Sequence, residues 1–199
     1  MTTYYAGIGA RSITPEAIKT VQMLSRVFSG LGFILRSGGA NGADDAWESA
    51  YMMPPHDRNK QIFLPWGGFN GRSYAEMGVV NPSPDKWEEA FSLTAAHHPN
   101  WAACSHGARK LHARNCFQIF GADLKTPASF VVAWTENGLV KGGTGQTIRL
   151  AQSAGIPVYN LGLDDKDRKT NRNVLSQIMK EVIPPSSSMP HRISFRQSA

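Results

Sequence analysis

The chain has 199 residues, 41% hydrophobic and 10% aromatic, with a formal net charge of +6. That length builds one sizeable α/β domain without requiring a second, and the apolar content excludes wholesale disorder. Two cysteines, Cys104 and Cys116, make neither a disulfide framework nor a CxxC pair; with no membrane-length apolar run and no signal peptide, a reducing cytosol is the expected compartment.

Residues 3–9, TYYAGIG, are an apolar run ending in glycines and predict a buried strand. A helix follows. Thr14 caps it, Pro15 suits its first turn and Glu16 suits the positive end of its dipole. Ile18, Val21, Leu24 and Phe28 recur at helical spacing until Gly30 or Gly32 stops it. GFILRSGGANGADDAWESAYM repeats the plan of strand, glycine-rich turn and helix, and KQIFLPWGGFNGR gives a third strand and an aromatic, glycine-rich loop. From 70 to 100 the pattern is weakest, with a turn signal at NPSPD and a helix around DKWEEAFSLTAAHH. CSHGARKLHARNCFQIFG predicts a helix with Leu111, Cys116, Ile119 and Phe120 facing inward. The strand SFVVAW, a third glycine turn, the helix GQTIRLAQSAG, the strand IPVYNL and an amphipathic helix near 171–182 complete the order.

From PPSSSMP the composition turns to Ser, Pro and Arg, so 1–183 reads as a single domain and 184–199 as a flexible basic tail. Strands alternating with helices predict an α/β, Rossmann-like doubly wound fold, its mostly parallel sheet covered by helices on both faces. Such sheets bind ligands beyond the carboxyl ends of their strands. The positive charge admits a polyanionic partner. Arg168, Lys169, Arg172, Arg192 and Arg196 nevertheless crowd the last quarter, where a solvated helix face and a tail also account for them.

Three glycine-rich turns follow strands: GIGAR at 7–11, SGGANGAD at 37–44 and GGTGQT at 142–147. Each would place backbone N–H groups at a helix N-terminus, the natural setting for a phosphate. The candidate ligand-binding residues are therefore Gly7, Gly9, Ala10 and Arg11 in the first turn and Ser37, Gly38, Gly39, Asn41 and Asp44 in the second. The third contributes Gly142, Gly143, Thr144, Gly145, Gln146 and Thr147, with Thr135 at the end of the strand before it. Asp44 and Asp45 suit a helix N-terminus electrostatically, and Asp44 equally suits a hydrogen bond to a ribose or base edge. Trp66 and Phe69, in a loop with Arg72, suit base stacking as well as packing, whereas Trp47 and Trp134 suit the core. Ser12 stands where a dinucleotide fingerprint carries its third glycine, and the second strand ends in Leu35-Arg36-Ser37 with no acid for a ribose. No Lys-Ser/Thr pair follows the last glycines. A nicotinamide enzyme and a P-loop ATPase are both disfavoured, and no cofactor is expected. His97-His98, and His106 with Cys104, lack a second cluster at metal-ligand spacing, so no metal is expected either.

GIGAR, SGGANGAD, HARN and GGTGQTIRLAQSAGIPV, in that order, resemble the Rossmann-type (SLOG) superfamily that joins the DNA-processing protein A (Smf) family to the Lonely Guy phosphoribohydrolases. The likeness spans roughly residues 4–162 and is strongest in the first fifty and in 109–161; FLPWGGFN, HPNW and LHARN are similar to short DprA-like proteins of phage and plasmid genomes. The Lonely Guy family cleaves an N-glycosidic bond with an arginine before the last glycine loop and a glutamate after it. Arg114 in LHARN resembles that arginine. The family's PGGxGTxEE, however, finds Lys141 at its proline and Ile148 and Arg149 at its acidic pair, which removes proton transfer and stabilisation of a sugar cation. The resemblance to the DNA-processing family rests on SGGANGAD, Arg114-Asn115 and Arg11, and it implies single-stranded DNA on a basic pocket of Arg11, Arg114, Lys141 and Arg149.

The expected function is thus non-hydrolytic binding of a phosphorylated nucleotide or nucleotide-derived signal, such as a cyclic nucleotide or ADP-ribose-type defence messenger sequestered in the host cytosol by a phage protein. The alternatives are DprA-like binding of single-stranded DNA in recombination, and phosphoribohydrolase activity with a relocated acid such as Glu136 or Asp44. Resemblance also implies a homodimer or larger assembly. No membrane partner is expected.

Overall fold

The computed structural model describes residues 2–164 and 168–182. Six strands form one wholly parallel sheet: β1 (Tyr4–Gly9), β2 (Ile34–Ser37), β3 (Lys60–Phe63), β4 (Val79–Val80), β5 (Phe130–Trp134) and β6 (Val158–Asn160), in the spatial order β4-β3-β2-β1-β5-β6. The helices are α1 (Pro15–Gly30), α2 (Ala43–Glu48), α3 (Pro84–His97), α4 (His106–Phe120), α5 (Gly142–Ser153) and α6 (Arg168–Val182). The α/β doubly wound expectation is met. No helix among the described residues is long and apolar enough to cross a membrane. The expected tail at 184–199 lies outside the described residues.

Alternation along the central strands makes two cores. Tyr5 on β1 and Phe130, Val132 and Trp134 on β5 pack with Val21, Leu24 and Phe28 of α1, Trp47 of α2 and Ile178 of α6. Ala6, Ile8, Val131 and Ala133 point the other way, onto Cys116, Phe117 and Ile119 of α4 and Ile148 of α5. Both faces of a parallel sheet are covered in this manner, so its strands read as continuous apolar runs rather than alternating ones.

Local signals set most boundaries. The Thr14 hydroxyl accepts from Ala17 N at 3.2 Å to start α1, with Pro15 at its first position. Of the two glycines offered as its stop, Gly32 does the work: its φ of +75° is left-handed, whereas Gly30 completes the helix. Ser105 caps α4 in the same way as Thr14, accepting from Ala108 N at 3.3 Å. Among the inward residues expected of α4, Cys116 and Ile119 are buried, while Leu111 and Phe120 are half-buried. The strand β4 has no periodic signature, being two residues long and held by pairing Ile62 with Val79 and Phe63 with Val80.

Gly7 belongs to this framework. A Cβ there would sit 2.6 Å from Trp47 Cγ and 2.9 Å from Leu35 Cδ1, so the missing side chain lets the Trp47 indole approach β1 closely. Trp47 is itself fully buried, its Nε1 donating to Ile8 O at 3.3 Å. Gly7→Ala overpacks this contact and should lower stability by about 1–3 kcal/mol, measured by urea denaturation.

Candidate anion-binding site

The chain steps outward from β1 to β4, then returns through α3 and α4 to lay β5 on the opposite side of β1. At such a reversal the connections leaving two neighbouring strands diverge and open a crevice. Here the crevice is a cavity of about 550 Å³. Ile8 to Ser12 line it from the end of β1, Thr135 and Glu136 from the end of β5, one side of α4 closes it, and the start of α5 forms its floor.

The start of α5 differs from the sequence expectation. The helix begins at Gly142, not Gly145, so Gly142, Gly143 and Thr144 are its first turn and all three line the cavity. First-turn amides have no intrahelical acceptor. Thr14 and Ser105 cap α1 and α4, but the N-cap of α5 is Lys141 and no side chain accepts from its amides. Gly142 takes a φ of +63°, and Gly143 leaves open space, with only His112 Cε1 at 3.9 Å from where a Cβ would be. Gly145 serves packing instead: its Cβ would lie 2.5 Å from Val140 C. Gln146 is buried and accepts from Asn115 Nδ2 at 3.2 Å, while Asn115 also donates to Gly143 O at 3.3 Å, which ties α4 to the turn. Thr147 lines the cavity, its hydroxyl donating to Gly143 O at 2.9 Å. Exposed Arg11 and Lys141 stand in the lining, so unpaired donors and two cations converge on one space.

The second glycine turn is closed. A Cβ at Gly38 would overlap the Arg114 guanidinium, which donates to Gly38 O and, at 3.3 Å, to Phe63 O. Arg114 is therefore a buried brace between this turn, the end of β3 and α4, and it also lines the cavity. Ser37 donates to Gly7 O at 2.8 Å inside the sheet. Gly39 and Gly42 have φ of +62° and +88°, and Asn41 is exposed; none of these lines the cavity, whereas Ala40 and Asp44 do. Trp66 lies elsewhere, exposed and edge-on to buried Phe69 at 5.4 Å. Arg72 is spoken for, bridging Glu48 at 2.7 Å and Glu76 at 2.8 Å, while Lys60 holds Glu48 from the other side at 2.7 Å.

Of the residues singled out from sequence, the structure thus gathers Gly9, Ala10, Arg11, Asp44, Arg114, Asn115, Thr135, Gly142, Gly143, Thr144 and Thr147 at one cavity. It leaves Gly7, Ser37, Gly38, Gly39, Asn41, Trp66, Arg72, Gly145 and Gln146 outside the lining. Sequence reading missed Ala108, Leu111, His112 and Gln118. Their helical spacing with Asn115 was the available signal: positions 108, 111, 112, 115 and 118 share one face of α4. The positions of the Lonely Guy acidic pair carry no acid here. Ile148 is buried in the core, and Arg149 donates to Val140 O at 3.2 Å. Among the described residues the lining carboxylates are Asp44 and Glu136. Another grouping was unexpected: side-chain ligand atoms of His98, Cys104 and His112 lie within 4.8 Å of one another, while His97 and His106, the partners weighed from sequence, stand apart from them.

Asp44 has an unusual proton affinity. Burial raises its pKa from 3.8 to about 6, against the opposing pull of Arg114 and a hydrogen bond from Ala40 N at 3.2 Å. The folded chain therefore keeps the proton where the unfolded chain has lost it. Stability from this group is full below the unfolded value and declines as pH rises through about 6. Asp44→Asn should flatten that decline, so the stability difference between variant and parent shifts in the variant's favour from about pH 4 to about pH 7, read from denaturation midpoints.

The sequence matches no protein-family model and no curated protein at a significant level. Among solved structures, its fold is similar to that of DNA processing protein A from Helicobacter pylori, a structure described for its single-stranded DNA binding mode. The TM-score is 0.54 at 17% sequence identity, over 89% of this chain and 80% of that one. At that identity the likeness establishes a shared fold, and the chain takes a DprA-like α/β architecture.

Proposed function

We propose that this protein binds single-stranded DNA at the crevice between β1 and β5, seating a backbone phosphate on the first turn of α5. The observation that carries the reading is the uncapped amides of Gly142, Gly143 and Thr144 opening into a cavity that Arg11 and Lys141 also line. A structurally similar protein described as binding single-stranded DNA supports this choice of polyanion, as does the net charge of +6. The reading includes no bond-breaking step, since Ile148 and Arg149 replace the acids that a phosphoribohydrolase of this superfamily would use.

A second reading is favoured by the dimensions of the site. About 550 Å³ falls within the range of small-molecule pockets. No Trp, Tyr or Phe is among its described lining residues, so stacking of successive bases has no platform there. A free phosphorylated nucleotide or nucleotide-derived signal fits that description.

Fluorescence anisotropy with a labelled oligothymidylate, repeated over a salt series, separates these readings. Binding should weaken linearly on a log–log plot, and Lys141→Ala and Arg11→Ala should each reduce the slope by about 0.7. Oligonucleotide affinity that survives Lys141→Glu unchanged would place the DNA elsewhere. If no oligonucleotide binds at low salt while calorimetry detects a nucleotide, the second reading holds, and silence in both assays rejects the site.

A further inference from the structure

We propose that His98, Cys104 and His112 form a metal site for Zn²⁺ or a chemically similar borderline cation, with three protein ligands and one exchangeable position. The proposal is independent of which anion the neighbouring cavity takes. His98 directly follows α3, Cys104 lies two residues before α4 and His112 stands in the second turn of α4. A sequence separation of six and then eight residues thus converges where the two helices meet.

The distances suit coordination. Cys104 Sγ is 3.9 Å from both Nδ1 and Nε2 of His98, and the two imidazole centroids are 4.5 Å apart. Zinc–nitrogen bonds of about 2.0–2.1 Å and zinc–sulfur bonds of about 2.3 Å put tetrahedral ligand atoms about 3.3–3.6 Å apart. The three ligand atoms lie within 4.8 Å of one another, so closing the site takes side-chain shifts of up to about an ångström, in side chains that are all half-buried. Two imidazoles and a thiolate, with no carboxylate among them, select a d-block cation over calcium or magnesium.

The surroundings favour occupation. His112 Nδ1 is buried beside the Gln146 side-chain amide, which orients the ring. Arg114 and Arg149 place positive charge near His112. The same cations oppose a bare divalent ion, which is why a thiolate among the ligands matters. What coordination gives up is small: a 3.2 Å hydrogen bond from Asn100 N to His98 Nδ1 and a 3.5 Å one from the Cys104 thiol to Asn100 O. The scaffold is firm. Buried Thr94 of α3 touches Cys116 of α4, Oγ1 to Sγ, at 3.1 Å, and Trp101 lies against His98 at 6.0 Å with the Arg109 guanidinium over its ring at 5.4 Å. Because His112 also lines the anion cavity, a cation here stands at that cavity's edge.

Titration of the full, reduced chain with Co²⁺ alone, and then with Zn²⁺ as competitor, tests the assignment. The expected result is one Co²⁺ per chain with a near-ultraviolet thiolate-to-metal band, displaced by Zn²⁺. Cys104→Ser should lose the band, and Cys104→Ser and His98→Gln should each weaken binding at least about tenfold, the lower bound even for outer-shell losses, with unchanged far-ultraviolet circular dichroism. If one variant fails to fold, the other decides. No uptake of either ion, uptake without the thiolate band, or equal affinity in the folded variants overturns the site.

Discussion

The buried guanidinium of Arg114 is the constraint on which the rest of the site depends. It occupies the volume that any side chain at position 38 would need, and it donates to the Gly38 and Phe63 carbonyls at the ends of β2 and β3. Its charge is balanced by Asp44 on α2. One α4 side chain therefore holds two strand ends and a helix start in register, and a buried cation of this kind is stable only while all those partners are present. Arg114 thereby ties α4 to the ends of β2 and β3 beside the crevice.

This changes how the positive charge of the chain is understood. Arg114, Arg72 and Lys60 are consumed internally, the first by backbone carbonyls and Asp44, the other two by Glu48. Arg36 is likewise enclosed, its guanidinium over the Tyr4 ring at 4.1 Å. Cations counted from composition as available to a polyanion are thus partly structural, and those left beside the cavity are Arg11 and Lys141 on its rim. On the proposed reading, an anion would be drawn more by oriented amides than by a broad basic surface.

The fold was legible because its signals are local and redundant. Apolar runs between helical periodicities placed five of the strands, and Thr14, Pro15 and Gly32 marked α1. The missing β4 shows the limit: a two-residue strand is defined by its neighbour, not by its own composition. At the site, the glycines were found but their roles were not separable. Gly7, Gly9 and Gly145 are required by close approach of Trp47, Ala43 and Val140, whereas Gly142 and Gly143 leave a ligand room. Both demands select the same residue, and only three-dimensional neighbours distinguish them. The grouping of His98, Cys104 and His112 was invisible for a similar reason, since it depends on the turn between two helices whose packing no spacing rule encodes.

The face of α4 toward the cavity bears Ala108, Leu111, His112, Asn115 and Gln118, while Arg114 leaves the helix on an adjoining side. Such a helix works as a ruler. One residue inserted between His112 and Arg114 rotates everything upstream by about 100° about the axis, carrying His112 away from Cys104 and Leu111 out of the crevice together. Exchange of single side chains along α4 is a graded change, but any alteration of its length is not. Descendants of this sequence are free to grow or shrink only in exposed connections such as residues 52–59, and α4 should keep its count of residues wherever the brace is kept.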